Sequence, residues 1–356
     1  MSETLHDFGG LLNLPNLQAW IDANDIPGSG PITAIRQLQG GSQNNLFMID
    51  RKGATVVLRR PPTHPRKNSN DIMIRESRVL KALAGSDVPH PTLYGACADT
   101  SVIGVCFYVM APLDGFSPAT RDPLPGQYGS DPSWRRAMGA EFVRCAAALS
   151  KVDYKAAGLG DFGKPDNWHS RQVSRWRSQL DGYSEMDGYE GSSLPHVDEV
   201  GEWLTRHTPA QGRMGIIHGD YQWPNVMFAH DRPEIIGLID FELSALGDPI
   251  LDLGWVLQSW REDGDPPGRP PTAWDWSAGS GFMTRDELVK LYGELAGRDM
   301  TDMPWYFVLA CYKLGCILEG TYARSKAGQA PVETGERLHT VSVWLFRKAK
   351  QIISAN

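Results

Sequence analysis

One short segment, residues 216–242, limits the possible folds more than any other part of the chain. It reads IIHGDYQWPNVMF, then a turn with HDRP, then EIIGLIDFE. The apolar residues on either side of HDRP predict two short strands joined in a tight hairpin. Such a hairpin brings Asn225, just before its first strand, beside Asp240 at the end of its second. The pattern therefore predicts an amide and a carboxylate side by side, next to Asp220.

This cluster predicts either a catalytic loop or an ordinary turn. Gly219, Asp220, Pro224 and Asn225 are all residues that turns favour. The spacing from Asp220 to Asn225 is also that of the phosphoryl-transfer loop H-x-D-x-x-x-x-N, whose Asp accepts the proton of the attacking hydroxyl. In that interpretation Asn225 and Asp240 hold Mg²⁺, which takes few protein oxygens and completes its shell with phosphate and water.

The rest of the chain predicts two lobes that share one cleft. Strand-like runs dominate residues 1–113, with a hairpin signal at Arg51-Lys52-Gly53 and one amphipathic helix at 71–85. Residues 114–356 read mainly as helices around the hairpin described above. The predicted fold class is therefore α+β, with an antiparallel N-lobe sheet plus helix and a mainly helical C-lobe.

A cation and a carboxylate in the predicted N-lobe suggest a buried ion pair. The strand VVLR ends at Arg59, and Glu76 lies on the helix face that also carries Ile72, Val79 and Leu80. A carboxylate in an apolar stripe is costly unless it is paired, and Arg59 is the natural partner. Such a pair would aim the guanidinium at the α- and β-phosphates of a nucleotide, although a purely structural ion pair predicts the same pattern.

Two further N-lobe segments predict nucleotide contacts. The turn containing Gly40, Gly41 and Ser42 would let backbone N–H groups approach phosphate oxygens, or would simply be a hairpin turn. The segment FYVMAPLDG falls at the predicted junction of the lobes. There Met110, with the backbone of Ala111 and Leu113, would contact adenine; a plain strand running into a linker is the alternative.

Composition narrows the class of partner. The 356 residues carry a formal charge of −7, which argues against nonspecific nucleic-acid binding because a phosphate backbone attracts basic surfaces. No apolar run is long enough for a membrane span, and the N-terminal sequence is unlike a signal peptide. The chain has five scattered cysteines with no CxxC pair. Reduced thiols and a cytoplasmic location are expected.

Taken together, the motifs HGDYQWPN, IDFE and LGDPILDLGW resemble those of the aminoglycoside phosphotransferase and choline kinase-like superfamily, which has the protein-kinase architecture. The segments VVLRRPP, FYVMAPLDG, DFGKPDNW and ACYKLGCILEGTYAR resemble more narrowly the branch associated with acyl-CoA dehydrogenases. Some members of that branch are thought to phosphorylate hydroxyacyl substrates, and others carry the names of resistance enzymes.

The resemblance implies a role for each motif residue. Asp220 would be the catalytic base, Asn225 and Asp240 would hold Mg²⁺, and Asp252 would hold the catalytic loop by hydrogen bonds to its backbone. ATP would be the phosphate donor. The chain departs from the family pattern in having Arg59 where most members have Lys, and Asp-Phe-Glu where Asp-Phe-Gly is usual. Arg keeps its charge and presents a fork, so phosphate binding is expected to survive with altered geometry.

The expected function is transfer of the γ-phosphate to a hydroxyl of a small molecule, antibiotic-like or hydroxyacyl-type. A nucleotide-binding pseudokinase with a regulatory or scaffold role is the alternative, supported by Arg59 alone. Four tryptophans were candidates either to line the acceptor pocket or to pack in the core: Trp255, Trp260, Trp274 and Trp276. The sequence gives no prediction of oligomeric state.

Overall fold

The computed structural model describes residues 7–38, 44–120, 124–210, 212–270 and 280–355. Strands are found at Ser29–Leu38 (β1), Asn45–Lys52 (β2), Ala54–Arg60 (β3), Leu93–Cys97 (β4), Phe107–Met110 (β5), Gly215–Ile217 (β6), Val226–Phe228 (β7), Ile235–Leu238 (β8) and Ala245–Gly247 (β9). Helices are found at Leu14–Ala23 (α1), Ser69–Leu83 (α2), Gly126–Ser130 (α3), Pro132–Lys151 (α4), Gln172–Gly182 (α5), Val197–Arg206 (α6), Ile250–Ser259 (α7), Arg285–Ala296 (α8), Met303–Lys326 (α9) and Val332–Ala355 (α10).

The N-lobe is an antiparallel sheet with the strand order β1-β2-β3-β5-β4. One face of the sheet packs on α1 through buried side chains that include Leu17 and Ile21. The other face is covered by α2, whose Val79, Leu80 and Leu83 are buried at helical spacing. Glu76 is buried on the same face, so α2 carries a carboxylate into the space between the sheet and the C-lobe.

The C-lobe is built around α9, a helix of 24 residues that packs against α5, α7 and α10. Its apolar core is continuous with the buried face of α2. Two short antiparallel strand pairs, β6 with β9 and β7 with β8, lie between this helical core and the N-lobe. The loops that leave these strands carry the predicted catalytic residues, so those residues meet where the lobes meet.

The predicted bilobal, protein-kinase-like α+β fold is confirmed, and the helix predicted at 71–85 is observed as α2, Ser69–Leu83. The hairpin differs in detail. Asn225 closes a 3-10 turn at 223–225, and Asp240 lies two residues beyond β8, not at the strand's end. Asp240 has a φ of 68°, which takes it out of the extended backbone that a strand requires.

Some expectations are not decided by the fold. The lobe boundary after residue 113 stays a prediction. Gly40, Gly41 and Ser42 lie outside the described residues. No helix of the described ranges combines the length and apolar character needed to cross a bilayer. The five cysteines are all buried and free.

Candidate active site

The backbone of the catalytic loop is fixed by a buried carboxylate on α7. Asp252 accepts hydrogen bonds from the N–H groups of His218, at 2.7 Å, and Gly219, at 3.0 Å. Burial raises the pKa of Asp252, while His218 and these two backbone donors oppose that rise. The hydrogen bonds are those that the family resemblance implies for Asp252.

His218 has a structural place in this loop. Its ring is fully buried, and Nε2 lies 3.0 Å from the carbonyl oxygen of Ile239. Nδ1 accepts a hydrogen bond of 3.3 Å from the N–H of Asp220. With Nδ1 accepting, Nε2 carries the proton and donates it to Ile239. His218 therefore ties the catalytic loop to the segment that carries Asp240.

Gly219 is required by both conformation and space. Its φ is +85°, a region that L side chains rarely adopt. A Cβ at this position would lie 2.3 Å from the carbonyl oxygen of Leu243. The glycine thus allows the loop to turn directly against the segment that follows Asp-Phe-Glu, immediately before Asp220.

Both side-chain oxygens of Asp220 accept hydrogen bonds. Oδ1 accepts from Gln222 Nε2 at 2.7 Å and from Trp255 Nε1 at 3.2 Å. Oδ2 accepts from Asn225 Nδ2 at 3.0 Å, and the same amide donates to the backbone oxygen of Asp220 at 2.8 Å. The carboxylate is partly exposed. Several donors therefore fix the orientation of a carboxylate that is not fully buried.

Asn225 and Asp240 are brought together as oxygen donors. The N–H of Ile239 donates to the carbonyl of Asn225 at 3.0 Å, which sets the two segments side by side. The Asn225 amide nitrogen is used toward Asp220, so its oxygen is the atom left to face a cation. The Asp240 side chain is 34% exposed. An amide and a carboxylate oxygen suit Mg²⁺, which needs only one or two protein ligands beside phosphate.

The described residues contain no group of three or more His, Cys, Asp and Glu side chains arranged as a metal site. A site built wholly from protein ligands, of the zinc type, is therefore not found in those ranges. The Asn225 and Asp240 pair fits only a cation that brings other ligands with it. A nucleotide–Mg²⁺ complex has that chemistry.

Arg59 contacts two carboxylates in the cleft, those of Glu76 and Asp240. Its Nε lies 3.1 Å from Glu76 Oε2, in an ion pair without hydrogen-bond alignment, and its Nη2 donates to Asp240 Oδ1 at 2.7 Å. Burial opposes the charge of Arg59, but Glu76 and Asp240 outweigh it, so the pKa of Arg59 stays above its ordinary value. The predicted Arg59–Glu76 pair is present; the contact with Asp240 was not predicted.

Glu76 also joins α2 to the C-lobe. Its side chain is 1% exposed, and Oε1 accepts a hydrogen bond of 3.0 Å from the N–H of Phe241. Burial raises the pKa of Glu76, while Arg59 lowers it. One carboxylate thus positions both the strand cation and the segment after Asp240.

A cavity of about 470 Å³ lies between the lobes, within the usual size range of small-molecule sites. Its walls include Arg59, Glu76, Asn225 and Asp240, which supply the polar groups. The predicted adenine-contacting residues Met110, Ala111 and Leu113 also line it, with apolar Leu46, Val57 and Met227. The cavity is therefore apolar toward the strand β5 side and charged toward Asp240.

The backbone of the predicted junction is partly engaged. The Ala111 N–H donates to the carbonyl of Thr92 at 2.8 Å, which extends the pairing of the sheet edge. Because this N–H is already used, the predicted contact between Ala111 and adenine would be made by the Ala111 carbonyl oxygen. That oxygen can accept a hydrogen bond from the adenine amino group. A donor toward adenine must come from another backbone group, and Leu113 N–H is the predicted one.

The tryptophan candidates have different surroundings. Trp260 is 6% exposed and donates its Nε1–H to the carbonyl of Met283 at 2.8 Å, so it belongs to the core. Trp255 is also buried, but its Nε1–H reaches Asp220. Trp274 and Trp276 lie outside the described residues.

Sequence reasoning missed two side chains near Asp220. Gln222 donates to the carboxylate itself, and Lys313 of α9 donates its Nζ–H to the carbonyl of Gly219 at 3.1 Å. A lysine within the apolar run YFVLACYKLGC was the available signal for Lys313. Glu242, the last residue of the Asp-Phe-Glu segment, accepts a hydrogen bond of 3.5 Å from Asn44 Nδ2 at Oε2, and burial raises its pKa.

The two lobes and the loops between them define a protein-kinase-like fold. The chain belongs to the phosphotransferase enzyme family, whose model matches residues 34–283. Acyl-CoA dehydrogenase family member 10 of Mus musculus is 31% identical over 312 residues, covering 87% of this chain and 28% of that protein. The chain thus spans less than a third of that relative, whose name describes a longer protein.

Solved structures share the fold. One from Ralstonia eutropha JMP134, whose assignment as an aminoglycoside phosphotransferase is provisional, has 33% identity and a TM-score of 0.78, covering 95% of this chain and 98% of that one. Choline kinase from Cryptosporidium parvum Iowa II (13%, TM-score 0.60, 95% and 96%) shares the fold. So does aminoglycoside phosphotransferase APH(4)-Ia, solved with AMP-PNP and hygromycin B (14%, TM-score 0.57, 92% and 98%).

Proposed function

We propose that this protein is an ATP-dependent phosphotransferase that moves the γ-phosphate to a hydroxyl of a small molecule. The observation that carries the proposal is that Asn225 and Asp240 line an interlobe cavity that also holds the cation Arg59, while Asp220 is hydrogen-bonded to Asn225. Membership of the phosphotransferase enzyme family supports the same reaction class.

In the proposed reaction, Asp220 orients the acceptor hydroxyl and accepts its proton. The hydroxyl oxygen forms a bond to the γ-phosphorus as the bond from that phosphorus to the β–γ bridging oxygen breaks, and ADP leaves with the electron pair. Gln222 and Trp255 hold Oδ1 of Asp220 in place from one side. Preset orientation of this kind is a main source of rate in phosphoryl transfer.

Asn225 and Asp240 would hold Mg²⁺ through their side-chain oxygens. The ion, when bound with ATP, neutralises charge on the β- and γ-phosphates. Arg59, held by Glu76, would turn its guanidinium toward the α- and β-phosphates. The Ala111 carbonyl and the Leu113 N–H would contact the adenine ring at the apolar end of the cavity.

A second candidate, a nucleotide-binding pseudokinase, is favoured by one observation. Arg59 donates directly to Asp240 Oδ1, so a metal at that oxygen has to compete with the guanidinium. If the protein is an active enzyme, we propose that its acceptor is antibiotic-like or of the hydroxyacyl type. We also propose that the protein acts in the cytoplasm.

The test is ATP consumption measured against hydroxylated metabolites, aminoglycosides and hydroxyacyl thioesters, with and without Mg²⁺. Asp240→Asn is the matched control, because it keeps the side-chain volume and removes the proposed metal ligand's charge. Phosphorylated product that requires both Mg²⁺ and Asp240 supports the kinase and names its acceptor class. Tight Mg²⁺-dependent binding of AMP-PNP, with no phosphorylated product across the panel, favours the pseudokinase.

A further inference from the structure

Lys313 is a buried cation that the proposed chemistry has not used. It lies in the middle of α9 among apolar side chains and is 8% exposed. Among the residues that the structure describes, its Nζ contacts one backbone carbonyl and two indole rings, those of Trp255 and Trp176. Burial lowers the pKa of Lys313 to about 8, against the attraction of Asp252 and Asp220.

Burying the Lys313 ammonium is energetically unfavourable. An ammonium taken out of water costs several kcal/mol unless strong partners replace its hydration. A carbonyl oxygen and the faces of two aromatic rings compensate only in part, since cation–π contacts contribute about 0.5–2 kcal/mol. An apolar side chain of the same length would suit the core of α9 better. Stability alone therefore does not account for Lys313.

Both groups that Lys313 contacts closely lead to Asp220. Nζ donates to the carbonyl of Gly219, the residue directly before Asp220, at 3.1 Å. Nζ also lies 4.3 Å from the centre of the Trp255 ring, and that indole donates its Nε1–H to Asp220 Oδ1 at 3.2 Å. One ammonium thus restrains the backbone and one side-chain donor of the same carboxylate.

We propose that Lys313 is a positioning residue for Asp220, acting through the Gly219 carbonyl and the Trp255 indole. The proposal rests on the proposed function for the role of Asp220. Because Lys313 fixes the indole plane, the Nε1–H of Trp255 stays aimed at Oδ1, and the open side of the carboxylate stays turned toward the acceptor.

The hydrogen bond from Trp255 to Asp220 can be measured without an acceptor. The indole ¹H–¹⁵N cross-peak of Trp255, assigned by its loss in Trp255→Phe, is recorded for the full chain at one pH in wild type and Lys313→Met. Methionine fills the space between the two indoles but supplies neither charge nor donor. The expected result is an upfield shift of the Trp255 peak, toward the position of an indole without a carboxylate partner.

Lys348→Met is the matched control. Lys348 is also buried, on α10, with Nζ 2.5 Å from Asp265 and 5.7 Å from the Phe307 ring centre. The Lys348→Met variant should have a lower melting temperature than wild type and an unchanged Trp255 peak. An unmoved peak in Lys313→Met, or an equal shift in Lys348→Met, would overturn the proposal. If Lys313→Met does not fold, Lys313→Gln decides by the same peak, because it removes the charge above the indole.

Calorimetry with Mg²⁺ and AMP-PNP separates this proposal from the proposed function. Lys313 does not line the nucleotide cavity, so the Kd of Lys313→Met should stay within threefold of wild type. Absence of AMP-PNP binding in wild type would count against the phosphotransferase and leave the indole result standing. A large loss of affinity in the variant alone would show that Lys313 acts on the cleft as a whole and would overturn a local positioning role.

Discussion

Arg59 is the residue on which the N-lobe side of the cleft depends most. It contacts two carboxylates that approach from different elements, Glu76 from α2 and Asp240 from beyond β8. A lysine has one compact ammonium and cannot match two acceptors with a fixed fork. Arg59, which stands where most family members have Lys, therefore has a structural consequence in this chain, because it links Glu76 and Asp240 across the cleft.

Arg59→Met should leave Glu76 buried without a cation. We expect the free energy of unfolding to fall by about 3–5 kcal/mol, the cost typical of one partner lost from a buried pair. The double variant Arg59→Met/Glu76→Leu should regain most of that loss, because no charge then remains buried. Urea denaturation at pH 7 measures both. Equal stability of the single and double variants would show that the pair is not coupled.

Sequence spacing predicted which side chains lie close together where those side chains are near one another in the chain. Asp220 and Asn225 are separated by a fixed loop, and Glu76 stands out because it interrupts an apolar stripe. The partners Trp255 and Lys313 could not be predicted, since they reach Asp220 from α7 and α9, whose packing is a property of the tertiary structure. A polar atom within an apolar sequence indicates that the side chain has a buried partner, but the sequence does not identify that partner.

At the scale of elements, α9 combines an apolar buried face with one buried cation, Lys313. Its burial pattern follows from an almost continuous apolar sequence, which predicts a helix enclosed by others. The lysine in that sequence sets a measurable dependence of stability on pH. The hairpin is the contrasting case. The apolar residues on either side of HDRP predicted its strands but not the left-handed backbone at Asp240. On either side of Asp240, Ile239 contacts the His218 ring and the Phe241 N–H donates to Glu76.

Stability should rise with pH through the titration of Lys313. The folded-state pKa is about 8 and the ordinary value is 10.5. Between these values the unfolded chain binds more protons, so raising the pH favours the folded state. Relative to Lys313→Met, wild type should gain up to roughly 3 kcal/mol between pH 8 and pH 10.5, measured by urea denaturation at each pH. A difference that stays flat over this window would contradict the buried, protonated lysine.

Helix α8 offers an independent check at the same scale. Thr284 caps its N-terminus and forms a reciprocal capping box with Glu287. Thr284→Ala should cost about 1 kcal/mol of stability, because a backbone N–H of the first turn loses its acceptor. The affinity for Mg²⁺ and AMP-PNP should not change. A loss of affinity with this variant would mean that α8 is coupled to the cleft.

At the scale of the whole molecule, the cleft is where the two lobes share polar groups. The N-lobe supplies Arg59 and Glu76, and the C-lobe supplies Asn225 and Asp240. The bilobal arrangement was predictable because sheet-rich and helix-rich halves are separate in the sequence. The closeness of the lobes was not, since it depends on contacts such as Arg59–Asp240 and Glu76–Phe241 across more than 160 residues of chain.

A ligand in this cleft should stabilise the chain by binding only the folded state. At 100 times its Kd, Mg²⁺–AMP-PNP should add about 2.7 kcal/mol to the free energy of unfolding. Asp240→Asn should lose the part that requires Mg²⁺ and keep any part due to adenine alone. Thermal denaturation with AMP-PNP, with and without Mg²⁺, measures this. Full Mg²⁺-dependent stabilisation of Asp240→Asn would remove Asp240 from the proposed metal site.

The central claim is that Asp220 is the base of a phosphotransfer reaction. The most direct measurement compares wild type and Asp220→Asn with an acceptor that the panel identifies, recording kcat and the Kd of Mg²⁺–AMP-PNP side by side. Asparagine keeps the shape but cannot accept the proton. We expect kcat to fall by about 10²–10⁴-fold, the usual contribution of a general base, with Kd largely unchanged. Turnover at the wild-type rate in Asp220→Asn would contradict the assignment.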